Sequence, residues 1–219
     1  MLKYKCLVLD HDDTVVRSST GMGYPSFCET LAQLRPHIKL TLDEFLLVCF
    51  EPGFPAYCQD VLGFTEAEMA LEGDLWRSYI TRNMPPFFSG MADLIRRYKE
   101  AGGILCVASQ SHSETILRDY REQCGLEPDS VFGWELGPAQ RKPNPYPLQE
   151  IMRRYQLLPH ELLMVDDLKP GLDMAKGCGV PFACAGWGHG LARIASFMKD
   201  NCALYLEDIG SLETLLFAA

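Results

Sequence analysis

The sequence predicts a parallel α/β sheet covered by helices on both faces, with a helical insert after the first strand. Three observations lead there. Short continuous apolar runs, each closed by glycine or by a polar cluster, recur along the chain. Amphipathic helical patterns lie between them, with no hairpin signal joining any two runs. Residues 17–85 break the alternation, holding helical patterns and no comparable strand.

Taken in order, residues 5–9 form the first buried run, stopped by Asp10. Helical stretches follow over 26–34, 42–49 and 67–81. This region is too long for a structureless loop, since loops beyond about 15 residues are uncommon. Pro85-Pro86 marks the return to the main domain. The expected division is therefore a core of residues 1–16 and 86–219 and a cap of residues 17–85. A helix over 92–99 places Leu94, Ile95 and Tyr98 on one face, and the run 104–108 follows Gly102-Gly103. Ser111-His112-Ser113-Glu114 reads as a capping box opening a helix over 114–123. The helix 148–155, the run 162–165 halted by Asp166-Asp167, the helix 172–176 and the run 181–185 complete the series. Runs apolar on both faces, alternating with helices, belong to a parallel sheet.

Composition bounds the function. With 219 residues, 47% hydrophobic and 22% charged, the chain can bury one α/β core and a small insert, which excludes a disordered protein. A formal charge of -9 disfavours nucleic acid and anionic membrane surfaces as partners. It leaves room for a small anionic ligand held by local positive charge or a metal. No apolar run approaches the roughly 20 residues that span a bilayer. The N-terminal run reaches Asp10 too soon for a secretory signal, so a cytoplasmic location is expected. Nine cysteines without a CxxC pair suggest a reduced compartment and give zinc no ligand cluster.

Ligands of parallel sheets bind beyond the carboxyl ends of the strands. Those ends carry Asp10-His11-Asp12-Asp13-Thr14, Ser109-Gln110-Ser111 and Asp166-Asp167, and the loop Arg141-Lys142-Pro143-Asn144-Pro145 adds a lysine. Carboxylates gathered at one edge repel unless a cation sits among them, and hard oxygen ligands beside a phosphate suit Mg²⁺. A metal and a lysine around two aspartates make a phosphoryl-transfer site. Each piece alone has an ordinary reading as a solvated turn, a basic pair or a strand end. Their joint order carries the functional one.

That order resembles the haloacid dehalogenase-like hydrolase superfamily, in its branch of phosphoglycolate phosphatase and β-phosphoglucomutase with a helical cap. Leu7-Val8-Leu9-Asp10-His11-Asp12-Asp13-Thr14 is similar to its first motif and Val107-Ala108-Ser109-Gln110 to its second. Lys142-Pro143 is similar to the third and Met164-Val165-Asp166-Asp167 to the fourth. The resemblance implies a Rossmann-like core and a phosphoric monoester hydrolase with Mg²⁺ as cofactor and a small phosphorylated metabolite as substrate. It implies that Asp10 is the nucleophile, forming an aspartyl phosphate, and Asp12 the general acid and base. Ser109, the main chain of Gln110 and Lys142 would hold the phosphoryl group, aided by the helix opening at Ser111. Asp10, the Asp12 carbonyl oxygen and either Asp166 or Asp167 would hold the metal.

Two departures stand out. Asp13 replaces the usual glycine after the second aspartate, a charge that would be harmless pointing to solvent. Pro170 and Gly171 stand where a second acid of the fourth motif is common, leaving that task to Asp166 or Asp167. His11 is expected to pack rather than react, Asp173 to sit on a helix surface, and Phe50, Phe54 and Tyr57 to form cap core. Two other readings share the scaffold: a phosphosugar mutase and a non-catalytic phosphate-binding pseudoenzyme. An acidic insert whose one lysine is Lys39 disfavours the mutase, which needs a second phosphate site.

Overall fold

The computed structural model describes residues 2–217. It divides into two compact units, one joining the chain up to Val16 with the stretch from Phe87 onward, the other Arg17–Pro86. In chain order the elements begin with β1 (Cys6–Leu9), α1 (Tyr24–Leu34), α2 (Leu42–Phe50), α3 (Phe54–Ala56) and α4 (Glu66–Arg82). Next come α5 (Met91–Glu100), β2 (Ile104–Ala108), α6 (Ser113–Cys124), β3 (Ser130–Phe132) and α7 (Tyr146–Tyr155). The chain closes with β4 (Leu162–Asp166), α8 (Lys169–Cys178), β5 (Phe182–Ala185), α9 (Ala192–Asn201), β6 (Leu204–Leu206) and α10 (Ile209–Phe217).

The first unit is a six-stranded, wholly parallel sheet in the order β3-β2-β1-β4-β5-β6. Every residue of β1 and β4 is buried, as continuous apolar runs require of central strands. Each large aliphatic side chain buried there stabilises the fold by about 1.5–3 kcal/mol. The chain winds outward from β1 through β2 to β3, then returns to β4 and winds the other way. This reversal opens a crevice beyond the carboxyl ends of β1 and β4. Register fixes what faces it: Leu9 lies beside both Val107 and Val165, so Asp10 follows β1 where Ala108 and Asp166 end the neighbouring strands. The Asp10 N–H donates to the Val165 carbonyl at 2.9 Å.

The second unit is helical. Capping boxes start α2 and α4: Thr41 and Thr65 accept from the N–H groups of Glu44 and Glu68, whose carboxylates reach back. π-helical turns over Ser19–Gly23 and Tyr57–Val61 flank the regular helices. Phe27, Phe45 and Phe54 pack ring to ring with centroids 5.0–6.2 Å apart, with Tyr57 against Phe27. Phe50 is buried in the same unit. Arg35 pairs with Glu68 at 2.7 Å and lies over the Phe64 ring. Among the described residues, no helix is long and apolar enough to cross a membrane.

Candidate active site

Three carboxylates converge beyond the central strands. One ligand oxygen from each of Asp10, Asp166 and Asp167 lies within 4.8 Å of the others, and all three residues are buried. Lys142, itself buried, bridges two of them, with Nζ 2.6 Å from Asp10 Oδ1 and 2.7 Å from Asp166 Oδ2. The loop before α7 brings the lysine in, and Gln110 ties that loop down by donating from Nε2 to the Lys142 carbonyl at 3.1 Å. Asp166 is further fixed by the Leu168 N–H, which donates to Oδ1 at 2.8 Å. Asp12 is not among the three grouped ligand oxygens; it is partly exposed, and its charge adds to the repulsion felt by Asp10. Its Oδ2 accepts from Ser111 Oγ at 2.5 Å and from Ser109 Oγ at 3.4 Å.

The electrostatics follow from this geometry. Burial pushes the Asp10 carboxyl well above its ordinary value, and Lys142 offsets only part of that. Asp167 is likewise pushed up, by burial first and then by repulsion from Asp166, Asp10 and Asp13. Burial alone would lower Lys142, but Asp10 and Asp166 outweigh it and hold the ammonium above its usual range. One cation among three buried carboxylates leaves an excess of negative charge. All the donors are oxygens, and the buried Asp10 Oδ1 has only the Lys142 ammonium beside it to balance its charge. This donor set fits a hard divalent cation.

Several expectations need correction. Ser111 does not cap a helix: α6 opens at Ser113 with no side-chain cap from its neighbours, and the Ser111 hydroxyl turns to Asp12 instead. Glu135 takes the Ser113 N–H at 3.0 Å, so the positive end of α6 already has a carboxylate on it. Asp13 does not point to solvent. It is 8% exposed, and its charge opposes ionisation of Asp167. Its backbone takes the left-handed conformation, φ 52°, which explains both the glycine usual at this place and the tolerance for aspartate. Gly171 is close-packed: a Cβ there would lie 2.2 Å from Asp166 Oδ2, so the first turn of α8 has no room for another acid.

Other residues lie as expected or add to the site. His11 is buried, its Nε2 3.1 Å from Asp119 Oδ2 and its ring stacked on Tyr120. Arg118 holds the other oxygen of Asp119 at 2.6 Å. Asp173 is exposed on α8. Thr14 Oγ1 donates to Asp167 Oδ1 at 3.4 Å, and the Trp187 indole donates to the Thr14 carbonyl at 2.9 Å. Neither contact was foreseeable from local pattern, because the partners are more than 150 positions apart.

A sequence model of the haloacid dehalogenase-like hydrolases matches residues 4–179. The chain belongs to that family. A phosphoglycolate phosphatase of Vibrio vulnificus (strain CMCP6) is 30% identical over 122 residues, covering 52% of this chain and 53% of the relative. The chain thus spans about half the length of the curated relatives it matches. Among solved structures, a Bacteroides fragilis protein described as haloacid dehalogenase-like superposes with a TM-score of 0.80 at 20% identity, over 96% of this chain and all of the other. CbbY from Rhodobacter sphaeroides, solved with phosphate, superposes with a TM-score of 0.61 at 18% identity, over 96% of this chain and 99% of its own. At these identities the two structures establish the likeness of fold to the family.

Proposed function

We propose that the chain is a Mg²⁺-dependent phosphatase of a small phosphorylated metabolite, working through an aspartyl phosphate on Asp10. The observation that carries this reading is the convergence of Asp10, Asp166 and Asp167 on Lys142, with Asp12 beside two serine hydroxyls. Asp10, Asp166 or Asp167, and the main-chain carbonyl of Asp12 would hold the cation, which supplies charge stabilisation to the phosphoryl oxygens. The rest of the chemistry belongs to the chain. An Asp10 carboxylate oxygen attacks phosphorus as the ester P–O bond breaks, and Asp12 gives its proton to the leaving alkoxide. Asp12 then takes a proton from water, whose oxygen attacks phosphorus. The bond from phosphorus to Asp10 breaks, releasing inorganic phosphate and restoring both carboxyl groups. Ser109 and Ser111 hold Asp12 in place, and Lys142 balances Asp10 throughout.

Two further points support hydrolysis over dehalogenation and over mutase chemistry. Halide leaves without protonation, so an acid at Asp12 serves only an oxygen leaving group. In the helical unit, Arg35 is already paired with Glu68, which removes a candidate for a second phosphate site. The phosphoglycolate phosphatase relative supports the same class of substrate. The test is phosphate release from p-nitrophenyl phosphate and from a panel of phosphorylated metabolites, with Mg²⁺ and with chelator. Asp10→Asn should abolish release while the protein stays folded by circular dichroism. Substantial release by a pure, folded Asp10→Asn protein would sink the reading, as would full activity in chelator.

A further inference from the structure

The loop after β5 carries an imidazole that the proposed mechanism does not use. His189 has a side chain 9% exposed, and among the described residues neither ring nitrogen has a well-formed hydrogen bond, the Asp167 main chain offering the ring only a weak one. Leaving two buried ring nitrogens so poorly paired is costly, so a residue in this state points to a partner that arrives later. Its position says which. Nε2 lies 3.9 Å from Asp167 Oδ2, on the side of the carboxylate away from the Thr14 hydroxyl at Oδ1. The two residues before it are fastened to the same acidic turn. Trp187 donates to the Thr14 carbonyl, and a Cβ on Gly188 would stand 2.4 Å from the Asp13 carbonyl and 3.0 Å from Asp167 Cβ. The loop is therefore registered against Asp167, and the imidazole hangs beside it.

We propose that His189 is a positioning residue for the divalent cation, its Nε2–H donating to Asp167 Oδ2 once the cation is bound. The inference rests on the metal site of the proposed function. Closing from 3.9 Å to hydrogen-bond distance needs a movement of about 1 Å. The division of labour is chemically sensible. Asp10 and Asp166 share the charge of Lys142, whereas a second cation on Asp167 would compete with the metal. An uncharged N–H donor fixes that carboxylate's orientation without neutralising it. Outer partners of this kind typically contribute about 10–100-fold to metal affinity.

Mn²⁺ is the probe, with free ion counted by electron paramagnetic resonance against the metal-stripped protein of residues 1–219. His189→Leu should weaken Mn²⁺ binding by at least about tenfold. His189→Gln, whose amide nitrogen reaches the place of Nε2, should stay within about threefold of wild type, while the shorter His189→Asn should behave like the leucine variant. The Gln and Asn pair decides the matter should the leucine variant fail to fold. KM for substrate at saturating metal should not change. Leucine and asparagine variants that bind Mn²⁺ like wild type would overturn the inference, and so would a rise in KM with metal affinity intact, which would place His189 on the substrate. Wild-type protein that binds no Mn²⁺ would overturn the proposed metal site and this inference together. Mn²⁺ binding with His189 dependence but no phosphate release would leave the inference standing and the proposed function broken.

Discussion

The sheet unit buries Asp10, Asp166 and Asp167 around Lys142, whereas the helical unit buries the carboxyl of Glu72 with no ion pair or hydrogen bond among the described residues. Both arrangements raise proton affinity through burial, but the remedy differs. Glu72 is pushed up to about 7 by burial alone, and a single proton relieves it. Protonation relieves the sheet cluster less completely, because each carboxyl there also feels its neighbours. A doubly charged cation answers all three at once. Buried charge marks a ligand site when it is clustered and partly compensated, and marks a proton-linked strain when it is solitary.

The largest test of this contrast removes the compensating charge. Lys142→Ala leaves two buried carboxylates without their ammonium and should cost about 3–5 kcal/mol of stability in chelator, read by urea unfolding. A loss below about 1 kcal/mol would mean that the lysine is not what holds the cluster.

Glu72→Gln is the counterpart in the helical unit. The folded pKa is raised above the unfolded one, so the native state binds the proton more tightly. The penalty is absent below about 4.5, grows as pH rises, and is complete above about 7. Glu72→Gln should therefore stabilise the protein at pH 8 by up to about 3 kcal/mol and have little effect at pH 4. Equal effects at both pH values would show that Glu72 is not linked to a proton.

The third test adds the cation. Asp10 and Asp167 have raised folded values, so the chelated protein loses stability as pH climbs from their unfolded values through their folded ones. Mg²⁺ replaces those protons, so its thermal stabilisation should grow from pH 5 to pH 8. At a hundredfold excess over its dissociation constant it should reach about 2.7 kcal/mol. A stabilisation that shrank with pH would contradict the assignment.

The smallest effect concerns Ser111. Removing a side-chain hydrogen bond is worth about 1 kcal/mol, so Ser111→Ala should lower kcat about fivefold. Mn²⁺ affinity should be unchanged, because Asp12 meets the serine through its side chain and would meet the cation through its main chain. Wild-type kcat in Ser111→Ala would remove Ser111 from the site.

The sequence made β1, β2, β4 and β5 legible because each is a continuous apolar run with a polar stop. β3 and β6 escaped, since three residues are too few to show a period. The strand-end acids and Lys142 were legible for the same topological reason: a parallel sheet gathers its carboxyl ends. Ser111 was misread because serine three residues before glutamate has the same spacing whether it caps a helix or faces Asp12. The pairing of His11 with Asp119, across 108 positions, left no local trace. Nor did Gly171, whose missing side chain matters only once Asp166 is seen against it.

Trp187 carries a practical consequence. It is one of three tryptophans in the chain, and its indole N–H is bonded to Thr14, whose hydroxyl meets Asp167. Indole emission responds to the field and hydrogen bonding at the ring, so a charge entering the acidic turn alters the light this residue emits. Trp76 lies in the helical unit and Trp134 under the Arg141 guanidinium, so a Trp76→Phe, Trp134→Phe protein would isolate the signal. The chain thus contains its own optical gauge for the proposed metal site, one that would time the arrival and departure of a cation in rapid mixing without any attached label.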